Sequence, residues 1–201
     1  MLLSYNTTHN TMYISIIVII SSLISGLQGM NQTSLRKIMA YSSINHSSWM
    51  ISTILTSMNI WLYYFIIYSI INLNILIVLN KYQLFNLNQL SKLFPFNKNI
   101  KILFMLNFLS LGGLPPFLGF YPKWMSINFL MYNNFYILSL LLIIFTLISL
   151  YFYLRITFSS FSLNSNESLI YIVKKTNYTH FYLNLLSLIS LTVCLFLINF
   201  L

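Results

Sequence analysis

The chain has 201 residues, 58% hydrophobic, 17% aromatic and only 5% charged, and ten Lys/Arg against one acid give a formal net charge of +9. A soluble domain carries about 25% charged residues, so this composition excludes a water-soluble globule and indicates an integral membrane protein. The basic residues mostly flank apolar runs, which reads as orientation signals and anchors to anionic lipid, not as a nucleic-acid surface.

A transmembrane helix needs about 20 largely apolar residues. On that criterion the expected fold is all-α: a polytopic transmembrane helix bundle of about six spans in one integral membrane domain covering residues 1–201. The N-terminus, MLLSYNTTHNTMY, has no basic region and no small-residue cleavage site, so no signal peptide is expected. The first span covers residues 12–29 and is apolar apart from its serines. The second covers 33–57, in the region NQTSLRKIMAYSSINHSSWMISTIL that starts at Asn31. Their boundary has two readings. Gly26, Gly29 and Asn31 can end one helix, with Asn31 or Thr33 capping the next. Alternatively one bent helix continues through Lys37.

Arg36 and Lys37 mark the matrix end of a span, or one of them is an intramembrane proton carrier; adjacent helical positions point about 100° apart, so both cannot face one channel. His46, within SSINHSSW, is either a helix–helix hydrogen-bonding residue or part of a polar proton relay. Trp49, Trp61, Tyr63 and Tyr64 are expected at membrane interfaces.

The third span covers 60–80. An Asn-rich segment with Lys81, Lys92, Lys98 and Lys101 then leads into the fourth, 100–131. This span carries the most informative stretch, LGGLPPFLGFYPKW at 111–124, with three of the five glycines and three of the four prolines. Proline removes a backbone donor and clashes with the preceding turn, and glycine disfavours helix. Gly112, Gly113, Pro115 and Pro116 should therefore break the helix, with a restart near Phe117. In lipid a broken helix is tolerated only where protein or a watery cavity satisfies the freed backbone groups. Lys123 follows the break. Beside Tyr121 and Trp124 it can be an interfacial anchor. At membrane depth, next to a break, it has the layout of a proton pathway.

The fifth span covers 135–158 and the sixth 181–201. Arg155, near the end of the fifth, is expected to snorkel to the interface. Lys174 and Lys175 lie in the polar link before the sixth, and the sole acid, Glu167, sits there without evident role. The links at 81–101 and 159–180 are separated by two spans, so they share a side, and the positive-inside rule makes it the cytoplasm or matrix. No P-loop, GxGxxG, CxxC or metal-spaced histidine occurs, and Cys194 stands alone, so no redox cofactor or metal is expected to bind this chain. Ala40 is the only alanine and aspartate is absent, the residue usage of an AT-rich gene such as an organellar one.

Three runs carry a family resemblance. GLQGMNQTSLRKIMAYSSINHSSWM at 26–50, LSLGGLPPFLGFYPKW at 109–124 and LYFYLRI at 150–156 resemble subunit 2 of mitochondrial NADH:ubiquinone oxidoreductase, respiratory complex I. The first is similar also to antiporter-like subunits and sodium/proton antiporters more broadly. Where that family has His-x-Gly-Trp, this chain has His46-Ser47-Ser48-Trp49. The resemblance implies a proton-translocating membrane-arm subunit of the mitochondrial inner membrane, with both lysine-rich links in the matrix. It implies that Lys37 is a buried lysine of a central helix and that Lys123 is the lysine of the discontinuous helix. NADH, flavin, iron–sulfur clusters and ubiquinone would belong to other subunits. The implied partners are other membrane-arm subunits and membrane lipids, cardiolipin among them. Family members normally carry further helices ahead of the first span, with an acid paired to another lysine; these 201 residues contain no intramembrane acid.

Overall fold

A computed structural model describes residues 9–93, 98–115 and 117–161. They form six α-helices, α1 (His9–Met30), α2 (Leu35–Ile54), α3 (Met58–Tyr82), α4 (Lys98–Gly112), α5 (Phe120–Tyr132) and α6 (Tyr136–Phe161), with a 3-10 segment at Leu87–Leu93 before α4. Three stretches, Thr11–Met30, Met58–Tyr82 and Tyr136–Ser159, are long and apolar enough to cross a membrane. The sixth expected span at 181–201, the link holding Glu167, Lys174 and Lys175, and Pro116 lie outside the described residues.

The outward faces of α1, α3 and α6 are apolar, with Ile16, Ile20, Phe65, Ile66, Leu140 and Leu147 all exposed, as lipid contact requires. α2 is different. Its buried face includes Ser42, Asn45, His46, Ser48, Ser52 and Thr53 beside Leu35, Ile38, Met39 and Trp49. The hydroxyls of Ser42, Ser48 and Ser52 each donate to the carbonyl three residues back, at 2.7, 2.6 and 2.7 Å, so they pack without needing a partner on another helix. Small residues also let α1 approach α6. A Cβ on Gly29 would stand 2.9 Å from the buried Phe152 ring, and one on Gly26 would stand 3.3 Å from Ile148.

The α1–α2 boundary resolves into two helices. Ser34, not Asn31 or Thr33, is the N-cap residue, in extended backbone and without a side-chain cap bond. Its conformation is set by pairing with the segment after α3: Leu35 N–H donates to Phe85 O at 2.8 Å and Leu87 N–H to Thr33 O at 3.1 Å. Arg155 closes the same joint. Its Nη1 donates to Met30 O and its Nη2 to Gln32 O, both at 2.6 Å. The guanidinium is turned onto the carbonyls of Met30, the last residue of α1, and of Gln32 just beyond it, where a cation also meets the negative helix terminus.

Two apolar clusters hold the bundle. One contains Leu35, Ile38, Ile71, Ile75, Phe104, Phe108, Phe152 and Ile156. The other contains Val18, Trp49, Tyr64, Leu130, Leu138 and Leu142. Tyr68 packs against both, so the waist between them lies at the level of His46, Tyr64 and Tyr68. The expectation of an interfacial belt fails for Trp49 and Tyr64, each about 1% exposed in this interior. Tyr63 is exposed, and Trp61 stacks on Phe65 with ring centroids 5.9 Å apart.

Candidate proton-carrier site at the α4–α5 junction

α4 ends in a motif that forces the chain to turn. Gly113 has φ +80°, in the left-handed region that favours glycine. Its N–H donates to Ser110 O at 3.0 Å, and Leu114 N–H donates to Leu109 O at 3.4 Å, the paired bonds of a Schellman end. Pro115 follows and cannot continue the helix. The chain re-enters helix at Phe120, three residues later than expected at Phe117, because Phe117 to Gly119 form a turn in which Phe120 N–H reaches Phe117 O at 3.0 Å. Pro122 falls in the first turn of α5, where a missing N–H costs nothing.

Glycine is required at two points of this junction. A Cβ at Gly119 would lie 1.8 Å from Ser110 O, so the start of α5 rests directly on the backbone of α4. A Cβ at Gly113 would lie 2.7 Å from Lys123 Cδ. Gly112, expected at the break, is the last residue of α4, and a Cβ there meets only ordinary contacts at 3.6 Å.

The junction holds Lys123. The side chain is 7% exposed, and its Nζ donates to Leu111 O and Gly112 O, both at 3.0 Å. These are terminal carbonyls of α4, left without N–H partners where the helix stops. An ammonium there is stabilised by the hydrogen bonds and by the negative end of α4 together. The anchor reading of Lys123 therefore does not describe its geometry: the side chain turns inward.

Beside it lies a cavity of about 10 Å³, lined by His46, Tyr64, Tyr68, Ser110, Leu111, Gly119 and Pro122. A site of that volume is about the size of one water. His46 is 4% exposed, and its Nδ1 lies 3.0 Å from the Tyr64 hydroxyl, a bond between α2 and α3. The imidazole stacks obliquely on Tyr68, centroids 4.7 Å apart. Its Nε2 is buried with no hydrogen-bond partner among the described residues. Tyr153 Oη, on α6, is likewise buried with no hydrogen-bond partner among the described residues, while the neighbouring Ser42 hydroxyl donates to Met39 O.

A family described as NADH:quinone oxidoreductase/Mrp antiporter, transmembrane region, matches residues 1–150, which include the whole junction and Lys123. The chain belongs to this family. Curated relatives named NADH-ubiquinone oxidoreductase chain 2 agree. That of Aedes aegypti is 46% identical over 84% of this chain and 49% of its own length, and that of Anopheles gambiae 48% identical over the same shares. That of Anopheles albimanus is 45% identical over 66% of this chain and 78% of its own length. The chain spans about half the length of the first two relatives. A chain of the respiratory complex I from Thermus thermophilus, solved with bound aureothin, shares the fold with a TM-score of 0.76 at 20% identity, covering 90% of this chain and 44% of that one.

Within this antiporter-family fold the expected site residues do not all converge. His46 lines the same cavity as Leu111, whose carbonyl accepts from Lys123 Nζ. Lys37 does not join them. It sits in the first turn of α2 and is exposed, so the buried position that the resemblance implied for it is not found; no described residue covers that face of α2. Arg36, next to it, lies over the Phe85 ring at 4.4 Å. Tyr64, Tyr68 and Tyr153 were not anticipated as site residues. The spacing of Tyr64, Ile67, Tyr68 and Ile71 on one face of α3 carried that signal, since lipid-facing and interior faces alternate at helical period.

Proposed function

We propose that this chain is part of a proton-translocating, antiporter-like membrane-arm subunit of respiratory complex I, and that Lys123 is a proton carrier in it. The observation that carries the reading is a lysine buried in the bundle on the terminal carbonyls of an interrupted helix. A lysine at the bilayer centre costs about 2.5–3.5 kcal/mol on insertion scales, so a fold that keeps one there keeps it for a use. α4 has 15 residues and α5 has 13, or roughly 22 and 20 Å of helix. Neither crosses about 30 Å of hydrocarbon alone. Together they make one interrupted span of six, in a single integral membrane domain with 181–201 as the last.

Lys37, in α2, is the second carrier in this reading. Like charges in a low-dielectric interior repel, so protonation of one lysine favours release from the other. Electrostatic changes from the quinone-reducing part of the complex then drive transfer without redox chemistry in this chain. NADH, flavin, iron–sulfur clusters and ubiquinone are held by other subunits, and other membrane-arm subunits and lipids, cardiolipin among them, are the partners. The membrane is the mitochondrial inner membrane, with the links at 81–101 and 159–180 in the matrix. Arg36, Lys37 and Lys81 lie at the helix ends joined by the Ser34–Asn86 pairing, and the Arg155 guanidinium reaches the same joint, which supports that orientation.

One observation favours a second reading. Two hydrogen bonds to Leu111 and Gly112 make Lys123 a competent helix cap, which a non-conducting brace also needs. Membership of the complex is tested by isolating the NADH-oxidising assembly from mitochondria in mild detergent and identifying its chains by mass. A chain carrying this sequence in that assembly supports the proposal. Its absence there, with presence elsewhere in the membrane, moves the protein to the stand-alone cation/proton antiporters of its family.

A further inference from the structure

We propose that the joint between α2 and α3 is a docking surface for an acidic phospholipid, whose headgroup phosphate is held by Arg36 and Lys37. This gives a place to the lipid partner in the reading above, and it rests on that reading in taking the bundle to span a membrane. The described residues hold neither Asp nor Glu, since the one acid of the chain, Glu167, lies outside them. Four cations nevertheless gather at this joint. Arg155 is committed to the carbonyls of Met30 and Gln32, and Lys81 Nζ is buried with no hydrogen-bond partner among the described residues. Arg36 and Lys37 are exposed, and neither side chain donates to a described residue. The joint therefore carries positive charge that nothing described here balances.

Arg36 and Lys37 also stand at the wrong end of their helix. The amino end carries the positive pole, which favours anions and disfavours Lys and Arg. α2 has no acid in its first turn, and Ser34 makes no side-chain cap bond. Leu35 N–H reaches Phe85 O and Ile38 N–H reaches Ser34 O, but the N–H groups of Arg36 and Lys37 have no acceptor among the described residues. The Arg36 head is already held in place, 4.4 Å over the Phe85 ring, while its donors stay without a hydrogen-bond acceptor. A phosphate there meets two cations and two free backbone donors together. The surface beneath suits acyl chains. α2 has 20 residues, about 30 Å of helix against about 30 Å of hydrocarbon, so its first turn stands at headgroup depth. Ala40 and Ile44 follow Lys37 along the exposed side, and Leu23 and Leu27 are exposed on α1, which packs against α2. The hydroxyls of Ser43 and Ser47 donate to Ala40 O and Ile44 O, both at 2.7 Å, so they present no unsatisfied donor to lipid.

Native mass spectrometry of the full chain in mild detergent, with phosphatidylglycerol or phosphatidylcholine added, reads this surface directly. One phosphatidylglycerol should stay bound per chain under conditions that strip phosphatidylcholine. A basic residue near a membrane surface supplies enough attraction for about a fivefold effect, so Arg36→Gln and Lys37→Gln should each weaken retention by that much. Phe85→Leu keeps the charge but removes the ring under Arg36, and it should weaken retention too. Lys174→Gln removes the same charge from another link and should not. Equal retention of the two lipids overturns the proposal without any variant having to fold. Equal weakening by Lys174→Gln also overturns it, since net charge alone would then explain the binding. Inorganic phosphate bound as tightly as phosphatidylglycerol would leave the acyl surface without a role and overturn the lipid. In the intact NADH-oxidising assembly, carbodiimide coupling of Lys37 to a carboxylate of another chain would seat a protein on this face instead. Proton translocation enters none of these readouts, so the carrier reading of Lys37 and Lys123 stands or falls separately.

Discussion

Arg155 Nη1 donates to Met30 O at 2.6 Å, joining α6 to the end of α1 across 125 residues of sequence. With Nη2 on Gln32 O, the planar fork bridges two carbonyls on either side of the helix end. Lysine donates from a single nitrogen, so it cannot reproduce the two separate, parallel N–H directions of the fork. Arg155→Lys should therefore cost about 1–2 kcal/mol, and Arg155→Met more. Thermal unfolding of the purified chain in detergent, followed by helical signal, checks this; equal midpoints for all three would mean that the fork contributes nothing.

The glycines of the junction differ in what they permit. Gly119→Ala puts a methyl group against Ser110 backbone, which cannot move without separating α5 from α4, so a loss on the order of 3 kcal/mol is expected. Gly113→Ala meets both a left-handed backbone and the Lys123 side chain; the backbone alone costs roughly 1–2 kcal/mol. Gly112→Ala should be tolerated. Accumulation of folded chain in the membrane should rank Gly112→Ala first and Gly119→Ala last. Any other order would mean that the junction relaxes differently.

Much of this was legible from residue type. Helix breakers are local, and the cluster of Gly112, Gly113, Pro115 and Pro116 located the interruption to within a few residues. The restart was missed by three positions because it depends on how closely α5 can approach Ser110, a tertiary matter. The role of Arg155 was missed for a similar reason. Its partners are backbone carbonyls far away in sequence, and no side-chain pattern announces them. Tyr64 was read as an interfacial aromatic because hydropathy cannot tell an inward tyrosine from a surface one; its position on the face shared with Ile67 and Ile71 could. Lys37 shows the reverse limit. A motif names a residue type and a place in a helix, but burial depends on what packs against that helix.

Lys37 and Lys123 should separate in their effect on stability. Lys37 is exposed on α2 and makes no hydrogen bond among the described residues, so Lys37→Met should change the stability of the chain by less than about 0.5 kcal/mol. Lys123→Met leaves two α4 carbonyls without their donor but also removes a buried amine, so its net effect is smaller than the two lost bonds alone suggest. Denaturant unfolding of the two variants side by side tests this. A large loss in Lys37→Met would reveal a structural contact for that side chain.

The most direct test of proton carriage is the number of protons translocated per NADH oxidised by the intact assembly carrying Lys123→Met, reconstituted in vesicles. The buried ammonium on Leu111 and Gly112 predicts a reduced ratio with the assembly still formed and still oxidising NADH. An assembled complex with the full ratio would contradict that account and leave Lys123 as a helix cap alone.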